Sequence, residues 1–153
     1  MENKIKKGNK ILINSTISFM LVFAMLFILL IIEKYAPFGN NSFAWMDANI
    51  QYMDFFSYFK DVLEGKNSIF YTLSNTLGNT GIGIYGYYLS SPLNILILLF
   101  SKDNIPTFFN LLVVIKLALA SFTFSWYIQK RFKNMKPLFV YLLAISYSLM
   151  QYN

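Results

Sequence analysis

Hydrophobic positions in this chain are gathered into long runs, not into the short alternating segments that are typical of a sheet. The first run, Ile11 to Ile32, contains no charged residue. At 1.5 Å per residue a helix over this run is about 33 Å long, enough to cross a hydrocarbon core of roughly 30 Å. No small-x-small cleavage site follows it, so the pattern predicts a retained membrane span and not a cleaved signal peptide.

Three further apolar runs lie in the second half of the chain. Ile105 to Ile128 is long enough for a second span, and the run that begins at Pro137 predicts the start of a third. Ile82 to Phe100 is weaker, because four residues interrupt it: Ser90, Ser91, Pro92 and Asn94. Its strongly apolar part, Leu93 to Phe100, is too short to cross, so we expect an interfacial or re-entrant helix there.

Basic residues set the predicted sidedness of the spans. One cluster precedes the first run: Lys4, Lys6, Lys7 and Lys10. A second cluster follows Ile128: Lys130, Arg131, Lys133 and Lys136. Lys and Arg next to membrane spans concentrate on the cytoplasmic side, so both clusters are predicted to be cytoplasmic and an even number of crossings separates them.

These patterns predict an all-α integral membrane protein with about three transmembrane helices and a large external loop that carries interfacial helices. The expected order is a cytoplasmic segment 1–10, a first span 11–32, an external region 33–106, a second span 107–128, a cytoplasmic turn 129–136 and the start of a third span at 137–153. In the alternative topology residues 82–100 cross the membrane and the second basic cluster lies outside. The short last run indicates the N-terminal part of a longer polytopic domain.

Composition restricts the chemistry that the chain performs. The sequence is 56% hydrophobic and 13% charged, with a mean hydropathy of +0.48, and contains neither Cys nor His. Thiol nucleophiles, disulfides and imidazole bases are therefore excluded from this chain, and carboxylates must carry any proton transfer. The net charge of +6 lies mostly in the clusters that flank the spans, so we expect membrane lipids and no nucleic acid as partners.

The segment from Asp47 to about Gly65 has a helical pattern. At 100° per residue one set of polar side chains falls within an arc of about 80°: Asp47, Gln51, Asp54, Tyr58 and Asp61. Aromatic and aliphatic residues share a wider neighbouring face: Ala48, Tyr52, Phe55, Phe56, Phe59, Val62 and Leu63. The pattern predicts a helix on the outer membrane surface with Gly65 as its C-cap, its aromatic face embedded and its carboxylates toward water or a cleft.

The acidic residues of this helix have competing interpretations. Charge runs on helices are usually solvated faces, which is the interpretation that we favour for Asp61 and Glu64. Asp47 lies where the helix begins, so a role as N-cap competes with a catalytic role. Spacing alone does not choose between them.

The glycines at Gly81, Gly83 and Gly86 match the pattern G-x-G-x-x-G of dinucleotide-binding proteins. No buried strand precedes the pattern, and the segment is predicted to be external, so we do not expect dinucleotide binding. These glycines and Gly78 are expected to allow a tight, close-packed loop that approaches membrane or substrate.

Lys116 lies near the middle of the run Ile105 to Ile128, where inserting a lysine costs about 2.5–3.5 kcal/mol. The structural interpretations are snorkelling toward an interface or pairing with an acid on another helix. The functional interpretation is contact with an anionic lipid headgroup or phosphate. These alternatives stay open.

Three segments resemble the YfhO family of bacterial membrane proteins: Met46 to Phe56, Leu77 to Asn79 and Tyr87 to Asn94. The order is similar too, with a basic N-terminus, one span, Asp-x-x-x-Gln-Tyr, a Gly-rich segment, Tyr-Tyr-Leu-Ser-Ser-Pro-x-Asn and a span with a central Lys. Family members are considerably longer. The resemblance implies a glycosyltransferase of the GT-C type in the bacterial cytoplasmic membrane. Such enzymes take a sugar from a polyprenyl phosphate on the external side, and teichoic-acid-like polymers of the Gram-positive cell envelope are the implied acceptors.

The same resemblance implies roles for individual residues. Asp47 matches the acid that follows the first span in such enzymes and is the implied general base, with Asp54 as a second catalytic candidate. Gln51 and Tyr52 are the implied substrate-binding residues, which orient the acceptor or the base, and Lys116 is an implied contact for the phosphate. A monophosphate donor does not obviously require a metal, so neither a metal site nor a cofactor is predicted.

Two alternatives to a transferase stay open. In a lipid or oligosaccharide transporter or flippase, Lys116 binds an anionic substrate and Asp47 only caps a gating helix. The other alternative is a nonfunctional membrane fragment, because most of the helices expected to wall a catalytic cavity lie outside this sequence.

Overall fold

The computed structural model describes residues 2–46, 48–73, 80–132 and 135–150, and it is helical throughout its regular elements. In chain order these are α1 Glu2–Ile32, a π-helical turn Ala48–Tyr52, α2 Met53–Leu63, α3 Gly81–Ile84, a π-helical turn Tyr85–Leu89, a 3-10 helix Pro92–Leu99, a 3-10 turn Lys102–Asn104, α4 Ile105–Arg131 and α5 Pro137–Ser148. Among the described residues there is no β-strand longer than an isolated bridge. The predicted all-α fold is confirmed.

The chain divides into two compact units. The first unit contains Met1–Glu33 and Val113–Asn153, and the second contains Lys34–Leu112. Helix α4 contributes its first residues to the second unit and the remainder to the first unit.

Within the part of the chain that the structure describes, two helical segments are long and apolar enough to cross a membrane, Gly8–Ile32 and Lys102–Arg131. Helix α5 is apolar but has 12 residues, which give it a length of about 18 Å. The segments Gly81–Leu89 and Pro92–Leu99 are bent by 100° relative to one another, as in a broken span or a re-entrant loop. The chain is therefore a membrane protein, whereas the boundaries and sidedness of the predicted spans stay predictions.

Small and polar side chains join the helices of the first unit. Ser18 and Ser121 are fully buried, and the Ser121 hydroxyl donates to the Ser18 carbonyl at 3.2 Å. The amide of Asn14 donates to Gln129 at 2.7 Å and accepts a hydrogen bond from the Tyr141 hydroxyl at 3.0 Å. Helices in lipid gain little from the hydrophobic effect, so close packing and interhelical hydrogen bonds, each contributing about 0.6 kcal/mol, hold α1, α4 and α5 together.

The second unit is built around an aromatic and aliphatic core. Its buried members are Phe56, Phe59, Leu89, Ile97, Ile105, Phe108 and Leu112. The rings of Phe56 and Phe108 meet edge to face with centroids 5.3 Å apart, and Phe59 lies 5.7 Å from Tyr85. This arrangement places one face of α2 against the bent pair of helices and the start of α4.

The expectation that the aromatic face of α2 is embedded in lipid is wrong for its two central residues. Phe56 is 2% exposed and Phe59 is 5% exposed. The periodicity of α2 correctly identifies an apolar face, but that face is covered by other segments of the second unit.

Helix α2 ends at a left-handed glycine, as predicted. Gly65 has a φ of +75°, and its N–H donates to the carbonyl of Val62 at 3.0 Å. The N–H of Lys66 reaches back to the carbonyl of Asp61 at 2.8 Å. This pair of bonds is a Schellman motif, in which glycine takes the positive φ without steric cost.

Asn110 fixes the loop that follows α1 within the second unit. It is fully buried, and its Oδ1 accepts hydrogen bonds from the Phe43 N–H at 2.8 Å and the Ser42 hydroxyl at 3.0 Å. Its Nδ2 donates to the carbonyl of Ala36 at 2.9 Å. The single amide side chain of Asn110 on α4 therefore hydrogen-bonds with donors and with an acceptor of the loop that follows α1.

We predict that Asn110→Ala lowers the melting temperature of the purified protein in detergent. The substitution leaves partly buried donors and an acceptor of the loop without partners, which costs about 1–3 kcal/mol. Asn40→Ala, at an exposed position in the same loop, is the matched control and should melt like the wild type. Equal melting of the two variants would contradict the structural role of Asn110.

The predicted sidedness can be tested by cysteine labelling, because the natural sequence contains no Cys. With both basic clusters inside, Asp103→Cys reacts with a membrane-impermeant maleimide in intact cells, and Lys136→Cys reacts only after permeabilisation. In the alternative topology the two positions exchange their behaviour. Labelling of Lys136→Cys but not Asp103→Cys in intact cells would therefore overturn the predicted arrangement.

Candidate functional site

One face of α2 and of the turn before it lines a cavity of about 600 Å³ in the second unit. Four polar residues of this face contribute: Gln51, Asp54, Tyr58 and Asp61. Asn67 and Thr72 line the cavity from the segment after α2, and the remaining contacts come from Ile50, Phe55, Ser57 and Ile84. The described residues of the polar stripe predicted from helical periodicity therefore face a cleft.

Asp54 carries an exposed carboxylate at this cavity. It lies in the first turn of α2, which continues directly from the π-helical turn Ala48–Tyr52. Among the described residues no side chain forms an ion pair or hydrogen bond with its carboxylate. Asp54 is thus free to accept a hydrogen bond or a proton from a bound molecule.

Asp61 is not the solvated residue that its position on the stripe suggested. Its side chain is 15% exposed, and its Oδ2 accepts a hydrogen bond from the Lys102 Nζ at 2.6 Å. The amide of Asn67 lies 3.5 Å from the same oxygen. The interpretation of Asp61 as surface decoration is wrong, because a lysine 41 residues further along the chain lies against it.

Glu64 lies on the surface at the end of α2, as predicted, and is paired with two lysines. The Lys60 Nζ is 2.6 Å from its Oε1, and Lys66 contacts its Oε2. The hydrogen bond from Lys60, followed by that from Lys66, lowers the pKa of Glu64 from 4.5 to about 2. Glu64 therefore stays ionised near neutral pH and is a poor candidate for acid or base catalysis.

The other predicted site residues have different surroundings. Gln51 is exposed and lines the cavity beside Asp54. Tyr52 is half-buried, with its ring edge to face against Tyr88 at 5.0 Å. Asp47 lies outside the described residues, and Lys116 belongs to the first unit, where it is exposed on α4. The structure thus brings Gln51 and Asp54 to one cavity, and the roles of all five stay predictions.

No group of three or more acidic side chains within residues 2–46, 48–73, 80–132 and 135–150 is arranged to hold a metal ion. Among the described residues, the acids that line the cavity are the pair Asp54 and Asp61. One carboxylate oxygen of Asp61 already accepts a hydrogen bond from Lys102.

The sequence matches the family described as bacterial membrane protein YfhO over residues 18–153. The chain belongs to this family. No curated protein and no solved structure matches it. The match extends over both units, so the family resemblance of the quoted motifs is confirmed.

One motif by which this chain resembles the YfhO family has a structural explanation. In Tyr87 to Asn94, Pro92 opens the 3-10 helix, and Asn94 is fully buried. The Asn94 Nδ2 donates to the Leu89 carbonyl at 3.1 Å, and its backbone N–H donates to the Ser91 carbonyl at 2.9 Å. These bonds join the two halves of the bent pair and hold Leu89 and Ile97 in the core.

Two residues that shape the second unit, Asn110 and Lys102, are not predicted from the sequence. Asn110 is an amide inside an apolar run, a pattern that signals either an interhelical contact or a loop anchor. Lys102 lies beside Asp103 and Asn104 in a short polar segment and has no sequence feature that identifies Asp61 as its partner. Only the three-dimensional structure reveals that ion pair.

Gly81 of the G-x-G-x-x-G pattern makes the close approach that was expected of it, although it opens α3 and does not lie in a loop. Its N–H donates to the Phe70 carbonyl at 3.2 Å, and a Cβ on Gly81 would overlap the backbone oxygen of Ile69. The backbone at 69–70 leads into Thr72, which lines the cavity. Gly81 thereby allows α3 to support that wall.

We predict that Gly81→Ala destabilises the second unit by about 1–3 kcal/mol, the usual cost of inserting a methyl group into a packed site. The measurement is the melting temperature in detergent. Gly86→Ala is the matched control, because nothing lies within 4 Å of a Cβ at Gly86. If both variants melt like the wild type, the close approach at Gly81 does not contribute to stability.

Proposed function

We propose that the protein transfers a sugar from a polyprenyl phosphate to a hydroxyl group of a cell-envelope polymer, such as teichoic acid, on the external side of the bacterial cytoplasmic membrane. The acceptor oxygen attacks the anomeric carbon, and the bond between that carbon and the phosphate oxygen breaks. A carboxylate takes the proton of the acceptor hydroxyl, and polyprenyl phosphate leaves with the electron pair. This reaction requires a base, a pocket for the reacting groups and a cation near the phosphate.

The observation that carries the proposal is the Asp54 carboxylate, which has no ion-pair partner in the described part of the chain and lines a cavity of about 600 Å³ in a YfhO-family chain. The chain lacks His and Cys, so a carboxylate is the available base near neutral pH. The predicted topology makes residues 33–106, which include this cavity, external. Lipid-linked donors and cell-envelope acceptors are both reachable from that side.

We assign the role of general base to Asp47, which precedes the π-helical turn that carries Gln51. Asp54 is the second catalytic candidate. Gln51 is proposed to orient the acceptor, and Tyr52, whose ring packs on Tyr88, is proposed to orient the base through its place in the helix. Lys116 is proposed to neutralise the phosphate of the donor. The reaction needs no metal in this scheme, because the leaving group is a monophosphate.

We predict that Asp47→Asn, introduced into the chromosomal gene, abolishes incorporation of the transferred sugar into the surface polymer. Loss of a general base lowers the rate by about 10²- to 10⁴-fold. The sugar content of isolated cell walls is the measurement, and membrane abundance of the variant is determined in parallel. Asp103→Asn makes the same change of charge at an exposed position and should leave incorporation unchanged.

Normal sugar incorporation by the Asp47→Asn cells would refute the assignment of the base. If Asp54→Asn abolishes incorporation while Asp47→Asn does not, the base is Asp54. Loss in both variants is the result expected when Asp47 is the base and Asp54 assists it.

A further inference from the structure

The charge of the cavity distinguishes between classes of ligand. Its described lining residues include two carboxylates and no Lys or Arg. Lys102 pairs with Asp61, whereas the Asp54 carboxylate has no cationic partner among the described residues. A phosphate in this cavity would meet a net negative charge, whereas a neutral molecule with hydroxyl donors would not be repelled.

The two oxygens of Asp61 are held differently. Its Oδ2 is fixed by the Lys102 Nζ at 2.6 Å and lies 3.5 Å from the amide of Asn67. Its Oδ1 is buried and has no hydrogen-bond partner among the described residues. Buried polar atoms in proteins are nearly always hydrogen-bonded, so this oxygen requires a donor. A ligand hydroxyl in the cavity that Asp61 lines would supply one.

The rest of the lining suits a molecule with both polar edges and an apolar face. Gln51 and Asn67 each offer an amide donor and acceptor, and Thr72 adds a hydroxyl group. Phe55 and Ile84 contribute apolar surface. A cavity of about 600 Å³ is in the range of small-molecule sites, roughly 300–1,000 Å³. A small cation would use the carboxylates but neither the amide donors nor the apolar side chains.

We propose that this cavity binds a neutral, polyhydroxylated ring through Asp54, Asp61 and Asn67, and that the phosphate of the lipid donor is bound outside it. Ionised carboxylates accept hydrogen bonds from hydroxyl groups, and the fixed Oδ2 of Asp61 orients its Oδ1 in advance. The identity of the ring as a sugar of the donor or of the acceptor rests on the proposed transferase function. The binding itself does not.

The test is saturation-transfer NMR with the full-length protein in detergent micelles, using methyl glucoside, methyl galactoside and methyl N-acetylglucosaminide as probes. We expect at least one glycoside to bind, and Asp61→Asn and Asn67→Ala to weaken it roughly tenfold or more, because each removes a hydrogen-bonding group. Glucose 1-phosphate, which carries the same ring with a dianion, should bind more weakly than the glycoside. Binding of no glycoside, or tighter binding of glucose 1-phosphate, would overturn the proposal.

Two control variants separate ligand contact from folding. Lys102→Met breaks the same ion pair as Asp61→Asn but keeps both carboxylate oxygens. Glycoside binding should therefore fall less than in Asp61→Asn, by the part that fixing Oδ2 contributes. Asp103→Asn changes one exposed acid outside the cavity and should bind like the wild type. If Lys102→Met loses as much binding as Asp61→Asn, Asp61 only supports the fold, and its proposed contact with the ring is wrong.

Competition with a polyprenyl-phosphate sugar identifies the source of the ring. Displacement of the glycoside assigns the cavity to the donor sugar, and simultaneous binding assigns it to the acceptor. If the purified protein binds a glycoside but deletion of its gene leaves every wall sugar unchanged, the sugar-binding cavity is supported and the transferase function is refuted. If deletion removes a wall sugar but the purified protein binds no glycoside, the transferase function is supported and the sugar-binding cavity is refuted.

Discussion

Burial of one aromatic face of α2 is the constraint on which the second unit depends. Phe56 and Phe59 lie in the core with Leu89, Ile97 and Phe108. Because successive residues of a helix are about 100° apart, fixing this face also fixes the rotation of the polar face. Gln51, Asp54, Tyr58 and Asp61 are thereby presented to the cavity. The site geometry follows from core packing and not from direct contacts between the polar residues of that face.

The bent pair of helices completes that core. Asn94 bridges its two halves through the Leu89 carbonyl, and Pro92 starts the second half without an N–H that would need a partner. Asn110 performs a related task for the loop after α1. In a chain of 56% hydrophobic residues, these few buried amides determine where irregular backbone is tolerated. The amides and the aromatic core therefore act together to shape the second unit.

Local periodicity predicted much of this fold. The long runs identified the segments of α1 and α4 that are long and apolar enough to span a membrane, and the 100° pattern identified α2 with Gly65 at its end. Periodicity shows that a face is apolar but does not show what covers it, so the lipid expected around Phe56 and Phe59 is in fact protein. Pairing across a long stretch of sequence, as between Asp61 and Lys102, leaves no local pattern at all. The resemblance to the YfhO family contributed the candidate chemistry, which periodicity alone left undecided.

Lys116 lies on α4, a segment long and apolar enough to span a membrane, and has a role in the proposed chemistry. It is exposed on α4 within an apolar segment, where a charge costs about 2.5–3.5 kcal/mol unless it is paired or hydrated. A cavity with two carboxylates is unsuited to a phosphate, so the proposed transferase needs a separate cation for its donor. This division of charge is consistent with a reaction in which a neutral ring and a lipid phosphate are bound by different parts of the protein.

The central claim is that this YfhO-family protein transfers a sugar to a cell-envelope polymer. The most direct test compares the sugars released by acid from purified cell walls of the wild type, a deletion of the gene and the complemented deletion. We predict that one sugar is lost on deletion and restored by complementation, with the amount of polymer unchanged. An identical sugar composition in all three strains would contradict the claim.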